Sequence, residues 1–490
     1  MDFRITKERL RVNICSVIAC SVLATILLFV SLSNIDKSAF NDIFQSICVS
    51  VRGYVGLLCL FFLFFLIILS LSKYGKIRLG GQTAKKEFSN FSWFSCLFMS
   101  GMGIGLLFYC QEPLFHMNNN PYFGHVSGSS ESVAYSLTLF NWTFNAWSQY
   151  AILGLILAYF HYNHHRKLKI SSIFPSRTNR YFKRCMDILM ALGIVAGLCT
   201  SFGLGVAQLC SGLNYVFSIQ VNPYILMLII GLIATWSVNS GLKKGVKWLS
   251  NITTVLIGIL LIVIVIIAYI SLGVSDYIVY TGNGLKTFVI NYFSYCDFFN
   301  SHSDSWAASW PVFYEMWYAA WAAFVSVFVA QISKGRTIRE FIFGVVIMPT
   351  LVTILWFGIF GTIGQEIKGI VFPAMQKDIT SSLFIFLKQL SSGSYYYILS
   401  GIVMICICLF FTTSSDSSSH VVATLLTPYP HPYSLGKILW SLLQCISAMV
   451  LFACGGLALV QSASVVLGII VISIIFIASL YFLYTLIKTE

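Results

Sequence analysis

Charged side chains are scarce in this sequence. Only 10% of its 490 residues are Asp, Glu, Lys or Arg, whereas soluble domains carry about 25%. The shortage extends along the whole chain, and apolar runs of about 20 residues recur, each long enough to cross a hydrocarbon core of roughly 30 Å. This pattern argues against a soluble domain and predicts an all-α integral membrane protein. The twelve predicted spans are 12–33, 52–72, 91–117, 136–162, 187–218, 223–240, 248–273, 311–333, 340–364, 396–426, 434–457 and 461–487.

Paired metal-ligating and catalytic residues are also missing. No Cys-x-x-Cys pair has metal spacing, and most of the 14 cysteines lie inside apolar runs, where a free cysteine acts as a small hydrophobe. His161, His164 and His165 lie beside Lys and Arg at the end of a predicted span, as on a solvated basic face. These absences argue against a disulfide framework, a metal cluster and a bound cofactor. We therefore predict that the chain is not an enzyme.

Acidic residues are fewer than basic ones, 17 against 30, which leaves a net charge of +13. If the N-terminus is cytoplasmic, 24 of the 30 basic residues fall in inner segments and 6 in outer segments, as the positive-inside rule requires. The basic charge therefore reflects topology and does not indicate a nucleic-acid partner. It predicts a multi-pass protein in the lipid bilayer with both termini cytoplasmic. The first apolar run is too long to be the core of a cleaved signal peptide.

Three glycines disturb the helical pattern of the third span. Gly101, Gly103 and Gly105 are two residues apart, so they do not share one helical face. Clustered glycines weaken a helix, and unwound backbone at membrane depth is tolerated only where it lines a cavity. We therefore predict a discontinuous, ligand-lining helix here. The alternative is close packing against a neighbouring helix.

Eight consecutive polar residues, Thr412 to Ser419, interrupt the tenth span. They are costly in lipid unless they have partners, and hydroxyls with freed backbone carbonyls are oxygen ligands that suit an alkali cation. The alternative is a helix whose hydroxyls bond back to its own carbonyls. Gly103 and Thr413 should lie at a similar depth, and broken helices that meet near the midplane are typical of secondary transporters. A transporter is therefore favoured over a membrane enzyme or a channel.

Aromatic side chains cluster on the fourth and eighth spans. Trp317 and Trp321 are four residues apart, so they share a helix face. Interfacial belts also use Trp and Tyr, but several of these rings should lie deeper in the membrane. Aromatic faces around one space bind a quaternary ammonium group by cation–π attraction. The residues predicted to surround such a group are Trp142, Trp147, Tyr150, Trp317, Tyr318 and Trp321.

At these residues the sequence resembles the betaine/choline/carnitine transporter (BCCT) family, from about residue 50 to the last span. The most specific match is Trp317-x3-Trp321 followed by residues 332–341. The other matches are residues 101–106 with Glu112-Pro113, the W-x4-W-x2-Y spacing of Trp142, Trp147 and Tyr150, residues 200–206, 211–214, 241–247 and 249–251, and Phe410-Phe411-x-Thr413-Ser414-x-Asp416-Ser417.

The resemblance implies a LeuT-type core of two inverted five-helix repeats, spans three to seven and eight to twelve. Residues 1–490 would form one transporter domain, with two peripheral spans in 1–90, the first repeat in 91–273 and the second in 311–487. The implied activity is import of a quaternary-ammonium compound of the glycine betaine, choline or carnitine type, usually by sodium symport. The implied location is the bacterial inner membrane, and many members form homotrimers. No cofactor is implied beyond the coupling ion.

All six aromatic residues match family positions that form an aromatic substrate box, so the resemblance implies that they surround the substrate. It adds Gly101, Met102 and Gly103 to the substrate site. It also implies a sodium position beside the unwound third span, formed by Met99 and Met102 through their backbone carbonyls and by Phe410, Thr413 and Ser414.

The sequence departs from the family's pattern at several positions. Tyr318 stands where a second tryptophan is usual, and it adds a hydroxyl. Glu315 replaces an aromatic residue just above the box, where it would attract cations into the outer funnel or be a solvated acid near a helix start. Asn141 and Asn145 replace residues that are commonly histidine, and histidine or proline. These departures leave a transporter of another small zwitterion or an amino acid, or a sodium-independent exchanger, as alternatives.

Overall fold

The computed structural model describes residues 17–24, 26, 37–117, 126–238, 247–273, 276–296, 305–427 and 434–488. Within these ranges the chain is helical apart from short connections and one isolated β-bridge. The first predicted span lies mostly outside the described residues. The helices are α1 Lys37–Leu71, α2 Asn90–Phe108, α3 Glu112–Phe115, α4 Ser130–Trp142, α5 Phe144–His164, α6 Ile170–Ile173, α7 Arg180–Phe217, α8 Pro223–Ser237, α9 Lys247–Leu272, α10 Tyr277–Tyr295, α11 Ser305–Ile332, α12 Ile338–Ile342, α13 Met348–Glu366, α14 Lys368–Lys377, α15 Ser382–Leu390, α16 Gly393–Leu426 and α17 Ser434–Lys488.

The predicted spans from the second to the twelfth each coincide with one or two of these helices. Eight helical stretches in the described ranges are long and apolar enough to cross a membrane, and the shorter apolar helix α8 occupies the sixth span. The helix α17 contains both 434–457 and 461–487. These two parts meet at Gly456, whose φ of 62° and ψ of −150° are not helical. Glycine accepts this positive φ because it has no Cβ.

One long helix, α10, lies between the seventh and eighth predicted spans, where the sequence analysis placed no span. It packs against α4 and α13 and buries a face that includes Thr281, Gly284, Phe288 and Tyr292. The buried positions recur every three or four residues, as on an amphipathic helix. Several of them are polar or glycine, so this stretch has no continuous apolar run that would mark a helix in the sequence.

Three connections that carry basic residues converge at one end of the bundle, beside the end of α16. Arg78 forms an antiparallel bridge with Thr337, and the side-chain amide of Asn163 donates to the Arg78 carbonyl at 3.0 Å. At the same end, Lys169 Nζ donates to the Leu425 carbonyl at 2.8 Å. All these segments were predicted to be cytoplasmic, and the structure places them side by side.

The helix α11 runs through the interior of the bundle. It contacts α1, α5, α7 and α17, and all of its residues from Pro311 to Ala330 are buried. A helix that is apolar on every side packs in the interior of a protein. This position holds the aromatic residues of α11 opposite those of α4 and α5.

The predicted interruption of the third span at Gly101, Gly103 and Gly105 is wrong, because α2 is a continuous helix through all three. The glycines make room for aromatic rings instead. A Cβ on Gly101 would lie 2.6 Å from the Trp147 ring, and one on Gly105 would lie 2.6 Å from the Trp142 ring. These two glycines are four residues apart, so they share the face that meets the aromatic residues.

Gly103 points to the other side of α2. A Cβ there would overlap the ring of Phe410 on α16. The spacing of two therefore serves two different neighbours, and close packing, the alternative interpretation, explains the glycines. Small residues let helices approach closely in a membrane.

The tenth predicted span is also unbroken. The helix α16 continues through residues 412–419. Thr412 Oγ1 donates to the Cys408 carbonyl and Thr413 Oγ1 to the Leu409 carbonyl, both at 2.8 Å. Such bonds satisfy hydroxyls without breaking a helix. The prediction of a second broken span is therefore wrong.

Candidate substrate and ion site

The helix break beside the aromatic residues lies in the fourth predicted span. The helix α4 ends at Trp142, Thr143 has φ −108° and ψ −115°, and α5 begins at Phe144. Both the Thr143 backbone N–H and its Oγ1 donate to the Leu139 carbonyl, at 3.0 and 2.6 Å, and they hold the end of α4 in place. The break separates Trp142 from Trp147, so each ring is oriented by a different helix.

Five of the predicted box residues form one connected cluster of buried rings. The Trp142 ring meets Trp317 and Tyr318 edge to face, with centroids 6.4 and 6.0 Å apart. Tyr318 meets Tyr150 edge to face at 6.2 Å, and Tyr150 meets Trp147 in the same way at 5.5 Å. Aromatic pairs favour this geometry because the positive edge of one ring faces the negative face of the other. The structure thus brings α4, α5 and α11 together through these rings.

Trp321, the sixth predicted residue, lines the cavity beside this cluster from the next turn of α11. Its Nε1–H donates to the Ser100 carbonyl at 2.7 Å. The cavity between the rings and α2 has a volume of about 20 Å³, which is room for about one water molecule. A trimethylammonium group therefore requires the rings to move apart. The cavity is lined by residues 100–105, Trp142, Tyr150, Ser201, Trp317, Tyr318, Trp321 and Ser414.

Glu112 lies behind Trp142, and its carboxylate takes part in four hydrogen bonds. Trp142 Nε1–H and the Tyr314 hydroxyl donate to Oε2, each at 2.6 Å. Asn141 Nδ2 donates to Oε1 at 2.8 Å, and His116 Nε2 is bonded to the same oxygen at 2.9 Å. Glu112 is 2% exposed, and four partners satisfy a carboxylate that burial would otherwise penalise. In the sequence, Glu112 stands out only as part of the Glu112-Pro113 motif, and nothing there points to its contact with the aromatic rings.

Comparison with known proteins decides the family. A family model described as "BCCT, betaine/carnitine/choline family transporter" matches residues 12–490. The chain belongs to the BCCT family. Membership confirms a transporter that is not an enzyme, and it confirms the predicted all-helical, LeuT-type fold class of a multi-pass membrane protein.

Individual BCCT relatives are similar over most of the chain. The chain is 34% identical over 490 residues to the glycine betaine transporter of Bacillus subtilis (strain 168). The alignment covers 96% of this chain and 92% of that protein. It is 31% identical over 448 residues to a probable glycine betaine transporter of Desulfitobacterium hafniense (strain Y51), with 86% of each covered. It is 32% identical over 435 residues to an ectoine/hydroxyectoine transporter of Virgibacillus pantothenticus, with 84% of each covered.

The residues that the BCCT resemblance assigns to sodium lie where α2 faces α16. Met102 and Ser414 line the cavity, and Phe410 packs against α2. Met99 and Thr413 are buried nearby on the same two helices but do not line the cavity. The carbonyls of both methionines belong to continuous helical turns, so they are not freed by unwinding as predicted. The sodium position itself stays a prediction.

Glu315, which replaces an aromatic residue common among BCCT proteins, is 4% exposed. Its Oε2 accepts hydrogen bonds from Gln149 Nε2 at 2.6 Å and Cys59 Sγ at 3.1 Å. A buried, bonded carboxylate fits neither the outer-funnel interpretation nor the solvated-acid interpretation. Asn145, another departure, accepts from the Tyr292 hydroxyl at 2.6 Å. These hydrogen bonds connect α11 with α1 and α5, and connect α5 with α10.

Proposed function

We propose that this BCCT protein imports a small quaternary-ammonium zwitterion across the bacterial inner membrane by sodium symport, with glycine betaine as the first candidate. The observation that most directly supports this proposal is the cluster of buried rings on α4, α5 and α11 around one cavity. Aromatic faces attract a trimethylammonium group without needing a hydrogen bond. Two of the relatives above are named for glycine betaine, which supports this substrate class. Carnitine and choline carry the same cationic group and are the next candidates.

Uptake into proteoliposomes tests the proposal. Radiolabelled glycine betaine, carnitine, choline and ectoine are offered with an inward sodium gradient and without one. We expect saturable uptake of glycine betaine that requires the gradient. Ectoine has no trimethylammonium group, and one relative is named for it. Uptake of ectoine alone, or of none of the four, would contradict the quaternary-ammonium proposal and favour another zwitterion or an amino acid.

The first prediction concerns the aromatic box. Replacing Trp317 by leucine keeps much of the volume but removes one aromatic face from the cavity. A desolvated ring contributes about 1–2 kcal/mol to binding a cation, so affinity for glycine betaine should fall about five- to thirty-fold. Trp321→Leu should lower the affinity for glycine betaine at least as much, because the hydrogen bond to the Ser100 carbonyl is lost as well. Equilibrium binding to purified protein measures both changes.

Trp236→Leu is the matched control for these variants. Trp236 lies on α8 and is 82% exposed, so its replacement should leave affinity unchanged. A well-folded Trp317→Leu protein that binds glycine betaine as tightly as the Trp236→Leu control would show that the box assignment is wrong.

A second prediction concerns the coupling ion. None of the described residues that line the cavity is Lys or Arg, so no fixed positive charge replaces a cation there. Ser414 lines the cavity, and the Thr413 hydroxyl donates to Leu409 but keeps lone pairs for an ion. Thr413→Ala combined with Ser414→Ala should raise the sodium concentration for half-maximal uptake by several-fold. Linkage is reciprocal, so in the wild type sodium should increase substrate affinity by the same factor as substrate increases sodium affinity.

Thr424→Ala is the control for this pair. Its hydroxyl bonds back to the His420 carbonyl at 2.8 Å on the same helix, far from the cavity, so its sodium dependence should match the wild type. Full-rate uptake by the wild type in sodium-free potassium buffer would contradict sodium symport and favour a sodium-independent exchanger.

A further inference from the structure

Tyr318 brings an unpaired polar group to the aromatic wall of the cavity. Tyr318 lines the cavity and is 3% exposed. The ring stacks on Trp317, with centroids 6.1 Å apart and an angle of 12° between the planes, and it meets Trp142 and Tyr150 edge to face. Within the described part of the chain, its hydroxyl has no hydrogen-bond partner.

Neighbouring donors in the same wall have acceptors in the protein. Trp142 Nε1–H donates to Glu112, and Trp321 Nε1–H donates to the Ser100 carbonyl. Trp147 Nε1 also has no partner among the described residues, but Trp147 does not line the cavity. Leaving a buried hydroxyl unbonded is unfavourable, so an unpaired one beside a binding cavity points to a group on the ligand.

A substrate carboxylate would find few other donors on this side of the cavity. The helix α2 is continuous, so the backbone N–H groups of residues 101–105 are already engaged in helical hydrogen bonds. As noted above, no basic side chain is among the described lining residues. A zwitterion therefore needs neutral donors, and the Tyr318 hydroxyl is one that the protein itself does not use.

We propose that Tyr318 is a specificity-determining residue whose hydroxyl donates a hydrogen bond to the carboxylate of a zwitterionic substrate. Bonds to ionised acceptors are about twice as strong as neutral ones, so the site selects betaines over quaternary amines that lack a carboxylate. The ring contributes to the cation site, and the hydroxyl recognises the anion. This inference rests on the proposed function, and it narrows the substrate class to carboxylated quaternary amines.

Tyr318→Phe tests the inference because it removes only the hydroxyl. Purified protein is titrated with labelled glycine betaine, and tetramethylammonium is used as a competitor that has the cationic group without an oxygen acceptor. We expect the Kd for glycine betaine to rise roughly tenfold or more, as for loss of a hydrogen bond to a charged group. The inhibition constant for tetramethylammonium should change by less than about twofold.

Thermal unfolding of the ligand-free proteins supplies a second readout. Tyr318→Phe removes an unpaired hydroxyl, so its melting temperature should equal or exceed that of the wild type. The matched control Tyr314→Phe removes a hydroxyl that donates to Glu112 at 2.6 Å, so its melting temperature should fall.

Three results would overturn the inference. An equal loss of affinity for both ligands would mean that the hydroxyl acts on the ring cluster and not on a carboxylate. A melting temperature that falls as far as that of Tyr314→Phe would mean that the hydroxyl has a structural partner. Unchanged binding of glycine betaine would mean that it has no ligand role. Each of these leaves the proposed function standing, whereas a wild type that binds no glycine betaine contradicts the proposed function itself.

Discussion

Replacing Glu112 by glutamine is expected to weaken substrate binding by roughly a hundredfold, more than the loss of one ring of the box. The Glu112 carboxylate holds Trp142 and Tyr314 through one oxygen and Asn141 and His116 through the other. Glutamine keeps one acceptor oxygen, but its amide group faces two donors. A hydrogen bond to a charged group contributes about 1.5–3 kcal/mol, so losing two costs about 3 kcal/mol or more. Kd and KM for glycine betaine measure the effect.

The exposed Glu366, at the end of α13, provides the control. Glu366→Gln changes the net charge by the same amount, and we expect binding to stay at the wild-type level. Unchanged affinity in a folded Glu112→Gln protein would show that the carboxylate does not support the box.

A pair of matched ligands separates two effects of Glu112. Glycine betaine and 3,3-dimethylbutyrate have nearly the same shape, but only the first carries a positive charge. If Glu112 only positions Trp142, both ligands should lose affinity by the same factor. A buried negative charge at the Trp142 indole also favours a nearby cation, so we expect the loss to be several-fold larger for glycine betaine. Equal losses would leave positioning as the whole effect.

Gly103→Ala is expected to abolish most transport and to lower the free energy of unfolding by about 1–3 kcal/mol, the usual effect of overpacking a core. The added methyl would overlap the ring of Phe410, which is 2% exposed and has little room to move. Alanine favours a helix over glycine by about 1 kcal/mol, so any loss is caused by the contact and not by the backbone. Thermal unfolding and initial uptake rates measure the two changes.

Gly401→Ala is the matched control, because Gly401 lies inside α16 and nothing lies within 4 Å of the position that its Cβ would take. This variant should be as stable as the wild type or slightly more stable. Gly103→Ala combined with Phe410→Leu should recover part of the stability that the single change loses. A Gly103→Ala protein as stable and active as Gly401→Ala would show that the two helices do not need this close contact.

The sequence predicted aromatic residues that the structure brings together, but it misjudged the backbone around them. Trp317 and Trp321 share a helix face by spacing alone, and such local periodicity survives in the folded protein. The glycines of α2 were read as points of unwinding. Gly101 and Gly105 instead accommodate rings from residues about 40 positions away, and no local pattern reports a contact of that range.

The true helix break did have a local signal. Asn141, Thr143 and Asn145 are polar residues at alternate positions within an apolar span. Each now bonds to a partner: Asn141 to Glu112, Thr143 to the end of α4, and Asn145 to Tyr292 of α10. The helix α10 was not predicted, so the partner of Asn145 was not predicted either.

The sequence by itself determined that the chain is a membrane protein, that helices lie at eleven of the predicted spans, and which aromatic residues lie near one another, because these features depend on composition and on spacing within one helix. Only the tertiary structure decided that α2 and α16 stay continuous, that Glu112 supports Trp142, and that the Tyr318 hydroxyl is left unpaired. Each of these depends on contacts between helices far apart in the chain. Whether a buried polar group is satisfied depends on which donors and acceptors the fold brings within about 3 Å of it, and spacing along the sequence does not contain that distance.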